Sequence, residues 1–82
     1  MRKRLLHGPA LRRMRLLSGT PQQQFAIACG ISPGYLSNIE AGRKQPADDM
    51  VKRLANELGV DLHEITYVVS SEAIFDTSKA AA

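Results

Sequence analysis

Apolar residues recur at intervals of three to four positions in five segments of the chain, which polar, glycine and proline residues separate. This spacing places the apolar side chains on one face of an α-helix, so each segment is predicted to be an amphipathic helix. The fourth segment is the most regular, because Met50, Val51, Leu54 and Leu58 share a face. The predicted helices span residues 9–18, 21–29, 33–41, 47–58 and 61–66. The pattern therefore predicts an all-α domain.

Prolines and capping side chains indicate where these helices begin. A proline stands in the first helical turn, where its missing N–H group is unpaired in any case, at Pro9, Pro21 and Pro33. Thr20 is predicted to cap the second helix, with Gln23 as its capping-box partner. Ser32 and Asp61 are predicted to cap the third and fifth helices.

The second and third helices form the most informative part of the chain, residues 22–41. Gly30 lies between them, where a left-handed backbone conformation would end one helix and redirect the chain. Leu36 and Ile39 turn the third helix back towards the second, and the small side chain of Ala26 allows the two to approach closely. Two short helices joined in this way are predicted to form a helix-turn-helix.

The same stretch resembles the helix-turn-helix domains of the Cro/repressor type, the XRE family. The resemblance covers about residues 9–66, and the matching positions are Gln22, Ala26, Gly30, Ser32, Leu36, Ser37, Glu40, Gly42 and Pro46. No single residue is specific, but the whole set at this spacing is a strong signal. The resemblance implies a compact five-helix fold like that of lambda repressor and sequence-specific binding to double-stranded DNA.

By the same resemblance, the third helix enters the major groove and presents Pro33, Gly34, Ser37 and Asn38 to the bases. The chain departs from the family pattern at Pro33 and Gly34, where long polar side chains are common. Hydrogen-bond readout at those two positions is therefore lost, which leaves close backbone approach at Gly34, apolar contact from Pro33, and polar contacts from Ser37 and Asn38. Asparagine can bind adenine through two hydrogen bonds. For Tyr35, packing on the core and contact with a thymine methyl or a phosphate remain equal alternatives.

A second set of residues is implied to contact the DNA backbone or to support the recognition helix. Gln22 opens the second helix, whose N-terminus favours phosphate, and Gln23 is a weaker candidate beside it. Arg43 and Lys44 follow the recognition helix and are predicted to lie along a phosphate strand. In the family, an arginine of the first helix pairs with the glutamate that ends the third. Arg15 and Glu40 occupy those positions and are predicted to form a structural ion pair.

Charge supports a polyanionic partner and composition excludes several other classes. Residues 1–46 hold eight Lys or Arg and one acidic residue, whereas residues 47–82 hold three and seven. The basic half contains the helix-turn-helix, so a polyanion meets that half first. Cys29 is the only cysteine, which leaves no disulfide and no zinc site and fits the cytoplasm. No catalytic constellation, cofactor motif, membrane span or secretory signal is predicted.

The sequence is compatible with more than one structure at each end of the chain. Residues 1–7 carry Arg2, Lys3 and Arg4 and are predicted to be a basic arm, either contacting DNA or mobile and without contacts. Residues 8–66 form the predicted DNA-binding domain. Residues 67–82 are a tail whose apolar positions suggest a dimer contact or packing on its own core. Strand, helix and mobile tail remain open for residues 67–77.

Together these features predict a transcriptional regulator, a repressor or Cro-like protein, that binds a palindromic operator as a homodimer. Phage repressor and restriction-modification controller are both compatible with the sequence. The competing hypothesis is an antitoxin-like module that binds another protein through residues 47–82 and binds DNA only secondarily.

Overall fold

The computed structural model describes residues 2–70, with side chains from Arg4 to Val69. The elements follow the order β1 (Arg2–Leu6), α1 (Gly8–Leu17), α2 (Gln22–Cys29), α3 (Pro33–Glu40), α4 (Asp48–Leu58), a 3₁₀ helix (Leu62–Glu64) and β2 (Thr66–Ser70). The first four predicted helices are confirmed to within about two residues at each end. None of the helices within residues 2–70 is long and apolar enough to cross a membrane.

The prediction of five helices is wrong, because the fifth segment is a single 3₁₀ turn followed by a strand. Asp61 and Glu64 form a reciprocal capping box at its start, in which the Glu64 carboxylate accepts from the Asp61 N–H at 2.9 Å. The chain then enters a run of β-branched and aromatic residues, from Thr66 to Val69, which favours extended structure. The undecided start of the tail is thus strand β2, and residues 71–82 lie outside the described residues.

Residues 2–6 form a strand, whereas the sequence predicted a basic arm over residues 1–7. β1 pairs with β2 in an antiparallel ladder that runs from Arg2 opposite Ser70 to Leu6 opposite Thr66. Leu6 is only 4% exposed and belongs to the core. The Arg4 guanidinium donates to the Thr66 hydroxyl at 2.9 Å, so this side chain supports the strand pair. Residues 2–6 are therefore part of the folded domain.

The side-chain caps predicted for α3 and for the 3₁₀ turn are present, whereas the cap predicted for α2 is not. The Ser32 hydroxyl accepts from the Tyr35 N–H at 3.0 Å and caps α3, as expected. α2 has no side-chain cap, since Pro21 itself takes the extended cap conformation and the Thr20 hydroxyl hydrogen-bonds Ser18 instead. α1 is capped by His7, whose Nδ1 accepts from the Ala10 N–H at 3.1 Å.

One hydrophobic core joins β1, the four α-helices and Ile65, which directly precedes β2. Its buried members are Leu6, Leu11, Phe25, Ala26, Cys29, Leu36, Ile39, Val51, Leu54, Ala55 and Ile65. Gly30 has φ 76° and ends α2, so it supplies the predicted left-handed turn. Burial raises the pKa of the Cys29 thiol to about 11, with Glu57 raising it further and Arg53 opposing. At neutral pH the thiol is therefore protonated and acts as a core residue.

Gly8 lets the start of α1 approach the end of α3. A Cβ atom at this position would lie 2.7 Å from the Glu40 carbonyl oxygen and in still closer conflict with that of Ile39. Both neighbours are backbone atoms, which cannot rotate away. The absence of a side chain at Gly8 thus fixes how closely these two helices pack.

We expect Gly8→Ala to lower the free energy of unfolding by about 1–3 kcal/mol, the usual effect of overpacking. Gly34→Ala is the matched control, because it adds the same methyl group near another helix start where nothing lies within 4 Å. Urea unfolding of both variants, followed by circular dichroism, measures the difference. Equal stability of the two variants would contradict the close packing at Gly8.

Candidate nucleic-acid interface

α3 presents one polar, partly exposed face and one buried face. Leu36 and Ile39 are buried in the core, whereas Pro33 and Gly34 are exposed and Ser37 and Asn38 are half-buried. The four residues predicted to face the bases therefore all lie on the side of the helix that is not in the core. Tyr35 is half-buried and packs against the core, which supports its packing role without testing a contact with DNA.

Gly34 is the second residue of α3, and neither a close neighbour nor its backbone conformation requires a glycine there. A Cβ atom there would meet nothing within 4 Å, and its backbone is helical. Glycine in a helix is less favourable than alanine by roughly 0.5–1 kcal/mol. Its presence leaves the helix backbone accessible at the point where α3 is most exposed.

A buried ion pair connects α3 to α1. Arg15 Nε donates to Glu40 Oε2 at 2.7 Å and Arg15 Nη2 donates to Oε1 at 3.1 Å, while the side chains are only 7% and 2% exposed. Arg15 Nη1 also donates to the Thr20 carbonyl at 3.0 Å. This confirms the predicted pairing of Arg15 and Glu40 and classes both as residues of the scaffold.

Gln22 joins the same network from α2. Its amide donates to Glu40 Oε1 at 3.2 Å, so the side chain is held at the junction of α1, α2 and α3. The first turn of α2 lacks a side-chain cap, which leaves its backbone N–H groups without a side-chain partner. Gln23, the weaker candidate, is exposed beside Gln22.

Arg12 is a basic residue that the sequence did not single out. It is exposed on α1 and lines a shallow concavity together with Gln22, Ser37, Glu40 and Ala41. The one signal for Arg12 in the sequence was that it precedes Arg15 by three residues, which is close to one helical turn. Arg12 thus brings positive charge next to the outward face of α3.

The loop after α3 folds back onto that helix. The N–H groups of Arg43 and Lys44 both donate to the Asn38 carbonyl, at 2.9 and 3.3 Å. Arg43 Nε also donates to Asn38 Oδ1 at 2.9 Å, a contact that the sequence did not predict. Lys44 is exposed. The structure therefore brings Arg43 to the side chain of Asn38, one of the residues predicted to contact the bases.

Gln45 attaches this loop to β1. Its Oε1 accepts from the Leu6 N–H at 2.7 Å and its Nε2 donates to the Leu6 carbonyl at 3.3 Å. One side-chain amide thus satisfies both backbone groups of Leu6, as a neighbouring strand would. The strand pair consequently supports the loop that carries Arg43 and Lys44.

Comparison with known proteins identifies the family. The model of a helix-turn-helix family matches residues 11–65. The chain belongs to the XRE-type helix-turn-helix family. This is a family of DNA-binding transcriptional regulators, and the resemblance seen in the sequence is confirmed.

Similar proteins include regulators of different lengths. The control protein C.BamHI of Bacillus amyloliquefaciens is 33% identical over 84% of this chain and 90% of its own length. The propionyl-CoA carboxylase regulator of Cereibacter sphaeroides is 32% identical over the whole chain, which spans only 18% of that protein. The crystal structure of the restriction-modification controller protein C.AhdI of Aeromonas hydrophila has a TM-score of 0.66 and 26% identity, over 70% of this chain and 83% of that one.

In this XRE-type domain, the ion pair is expected to be more important for the position of α3 than any other polar contact. Glu40→Ala would leave the buried Arg15 charge without a carboxylate, so we expect a loss of about 3–5 kcal/mol in the free energy of unfolding. Arg15→Met with Glu40→Leu removes both charges, and we expect this double variant to recover most of the loss. Denaturant unfolding of the single and double variants tests this, and an equally unstable double variant would contradict it.

Proposed function

We propose that this protein is a sequence-specific transcriptional regulator that binds a palindromic DNA operator as a homodimer. The observation that carries the proposal is the outward face of α3, where Pro33, Gly34, Ser37 and Asn38 stand on a scaffold held by a buried ion pair. A helix held in this way can enter the major groove, where the base edges carry the full donor and acceptor code.

The surroundings of α3 supply contacts to the phosphate backbone. The uncapped N-terminus of α2 offers backbone N–H groups and the positive end of a helix dipole. Lys44 follows the recognition helix, and Arg12 adds an exposed positive charge beside Gln22 and Ser37. Such contacts fix the register of the protein on the duplex and supply affinity without specificity.

A dimer is favoured because α3 presents only a few polar side chains that can contact bases. Two recognition helices on half-sites about 10 bp apart would double the contacts that one α3 makes. The exposed side chains of Tyr67 and Val68 on β2, 44% and 48% exposed, are apolar surface that a second copy would cover. We therefore propose that Tyr67 and Val68, at the start of the predicted tail of residues 67–82, contribute to the dimer contact.

The experiment that tests this function is selection of duplexes from a random library by the full chain, followed by sedimentation of the complex. We expect a selected sequence with two-fold symmetry, two protomers per duplex, and an affinity that falls steeply with added salt. Enrichment of no sequence above random DNA would exclude a sequence-specific regulator. In that case, co-purification with a stable partner chain would favour the antitoxin-like alternative.

We further expect Gly34→Ala to separate stability from binding. Alanine should raise the free energy of unfolding by roughly 0.5–1 kcal/mol, because it is the better helix former and meets no neighbour. The added methyl group should nonetheless weaken binding to the selected operator, since it blocks close approach of the backbone to the groove. Thermal unfolding and binding titrations on one preparation measure both effects. Unchanged operator affinity would remove Gly34 from the proposed contact surface.

A further inference from the structure

The side chains of Asn38 and Arg43 are joined before any partner is bound. Gly42, with φ 80°, reverses the chain after α3, and the following backbone N–H groups return to the Asn38 carbonyl. This reversal brings Arg43 Nε within 2.9 Å of Asn38 Oδ1. Two side chains five residues apart are thus held together at the end of the recognition helix.

This hydrogen bond determines which groups of Asn38 face outward. Arg43 is a donor and has no acceptor, so it must meet the amide oxygen, and Nδ2 then lies on the other side of the amide. Recognition of adenine by asparagine needs both the oxygen and the nitrogen of the amide. The bond from Arg43 occupies one of the two lone pairs of Oδ1, so one lone pair and Nδ2 remain for a base.

The pair presents hydrogen-bond donors to its surroundings. Asn38 retains its Nδ2 hydrogens, and Arg43 retains the two terminal nitrogens of its guanidinium group, since Nε is the atom that bonds to Asn38. In the major groove, guanine is the base that offers two adjacent acceptors, N7 and O6. The terminal nitrogens of arginine match these two acceptors in a bidentate contact.

We propose that Asn38 and Arg43 form one base-reading pair that recognises guanine in the major groove, with Arg43 as a specificity-determining residue. The proposal rests on the proposed function, in which α3 lies in that groove. The hydrogen bond to Asn38 places the Arg43 side chain near the bases. It also holds this long, flexible side chain in one position, which lowers the entropic cost of ordering it on binding.

The charge environment of Arg43 agrees with this role. Among the described residues, the ion pair of Arg15 and Glu40 is the only one between basic and acidic side chains, so no described carboxylate neutralises Arg43. Arg43 is exposed, and Asn38 is its one side-chain partner within residues 4–69. The terminal nitrogens are thus available to a base.

The test uses the full chain and its selected operator, with each guanine replaced in turn by 7-deazaguanine, which pairs normally but lacks the N7 acceptor. For the wild type, we expect replacement of one guanine per half-site to weaken binding by roughly 5- to 150-fold, the range for a bidentate contact. Arg43→Lys keeps the charge but loses the planar fork. This variant should lose operator affinity, keep its affinity for random DNA and become insensitive to that replacement.

A set of alanine variants completes the design. Asn38→Ala should weaken operator binding, and its combination with Arg43→Ala should be no weaker than Arg43→Ala alone, because the two side chains act together. Lys44→Ala is the matched control, since it removes a neighbouring positive charge whose side chain, within residues 4–69, has no hydrogen bond to the Asn38 side chain. It should weaken binding to operator and random DNA alike and lower the salt slope by about one.

The outcomes separate this proposal from the proposed function. If no 7-deazaguanine replacement weakens binding of the wild type, Arg43 does not contact guanine N7 and the base-reading pair is excluded. Additive effects of the two alanine substitutions would also exclude the pair, while leaving a sequence-specific regulator intact. Failure of the wild type to select any sequence would overturn both the pair and the proposed function.

Discussion

The arrangement of the first three helices depends on the buried ion pair between Arg15 and Glu40. Glu40 ends α3 and accepts hydrogen bonds from Arg15 of α1 and from Gln22 of α2. Because a buried carboxylate is unfavourable unless its partners are all in place, other orientations of α3 would leave charge unpaired. The pair thus favours a single orientation of the recognition helix.

A second constraint acts at the C-terminal end of α3. Gly8 allows the start of α1 to lie against the last carbonyl groups of α3, and Gln45 attaches the next loop to Leu6 of β1. The positive end of one helix therefore faces the negative end of another. These contacts support the loop of Arg43 and Lys44, so residues that precede α1 contribute to the geometry of the recognition surface.

Local signals in the sequence were sufficient for the first four helices, whereas the residues of the candidate site were implied by the family resemblance. Ser32 at the start of α3, Gly30 at the end of α2 and the spacing of Leu36 and Ile39 each act within a few residues, so their effects could be predicted. The family resemblance supplied the pairing of Arg15 with Glu40, which no local rule contains.

What could not be predicted depends on contacts between distant residues. Strand β1 pairs with a segment about sixty positions away, and a short basic stretch gives no sign of that partner. The bond from Gln45 to Leu6 has the same origin. The capping role of His7 could not be predicted because histidine is an uncommon helix cap. The hydrogen bond between Asn38 and Arg43 could not be predicted because it depends on how the chain reverses at Gly42.

The pairing of β1 with β2 also affects the order of folding. The helix-turn-helix is formed by neighbouring segments, whereas the ladder joins the first described residues to the last and closes a loop of nearly the whole domain. Closing such a loop is entropically costly and is compensated only when the intervening helices have already shortened the distance. During synthesis, Leu6 has to wait for residues 66–70 to leave the ribosome before its strand is complete. The helices thus serve as the template on which the two ends of the domain meet.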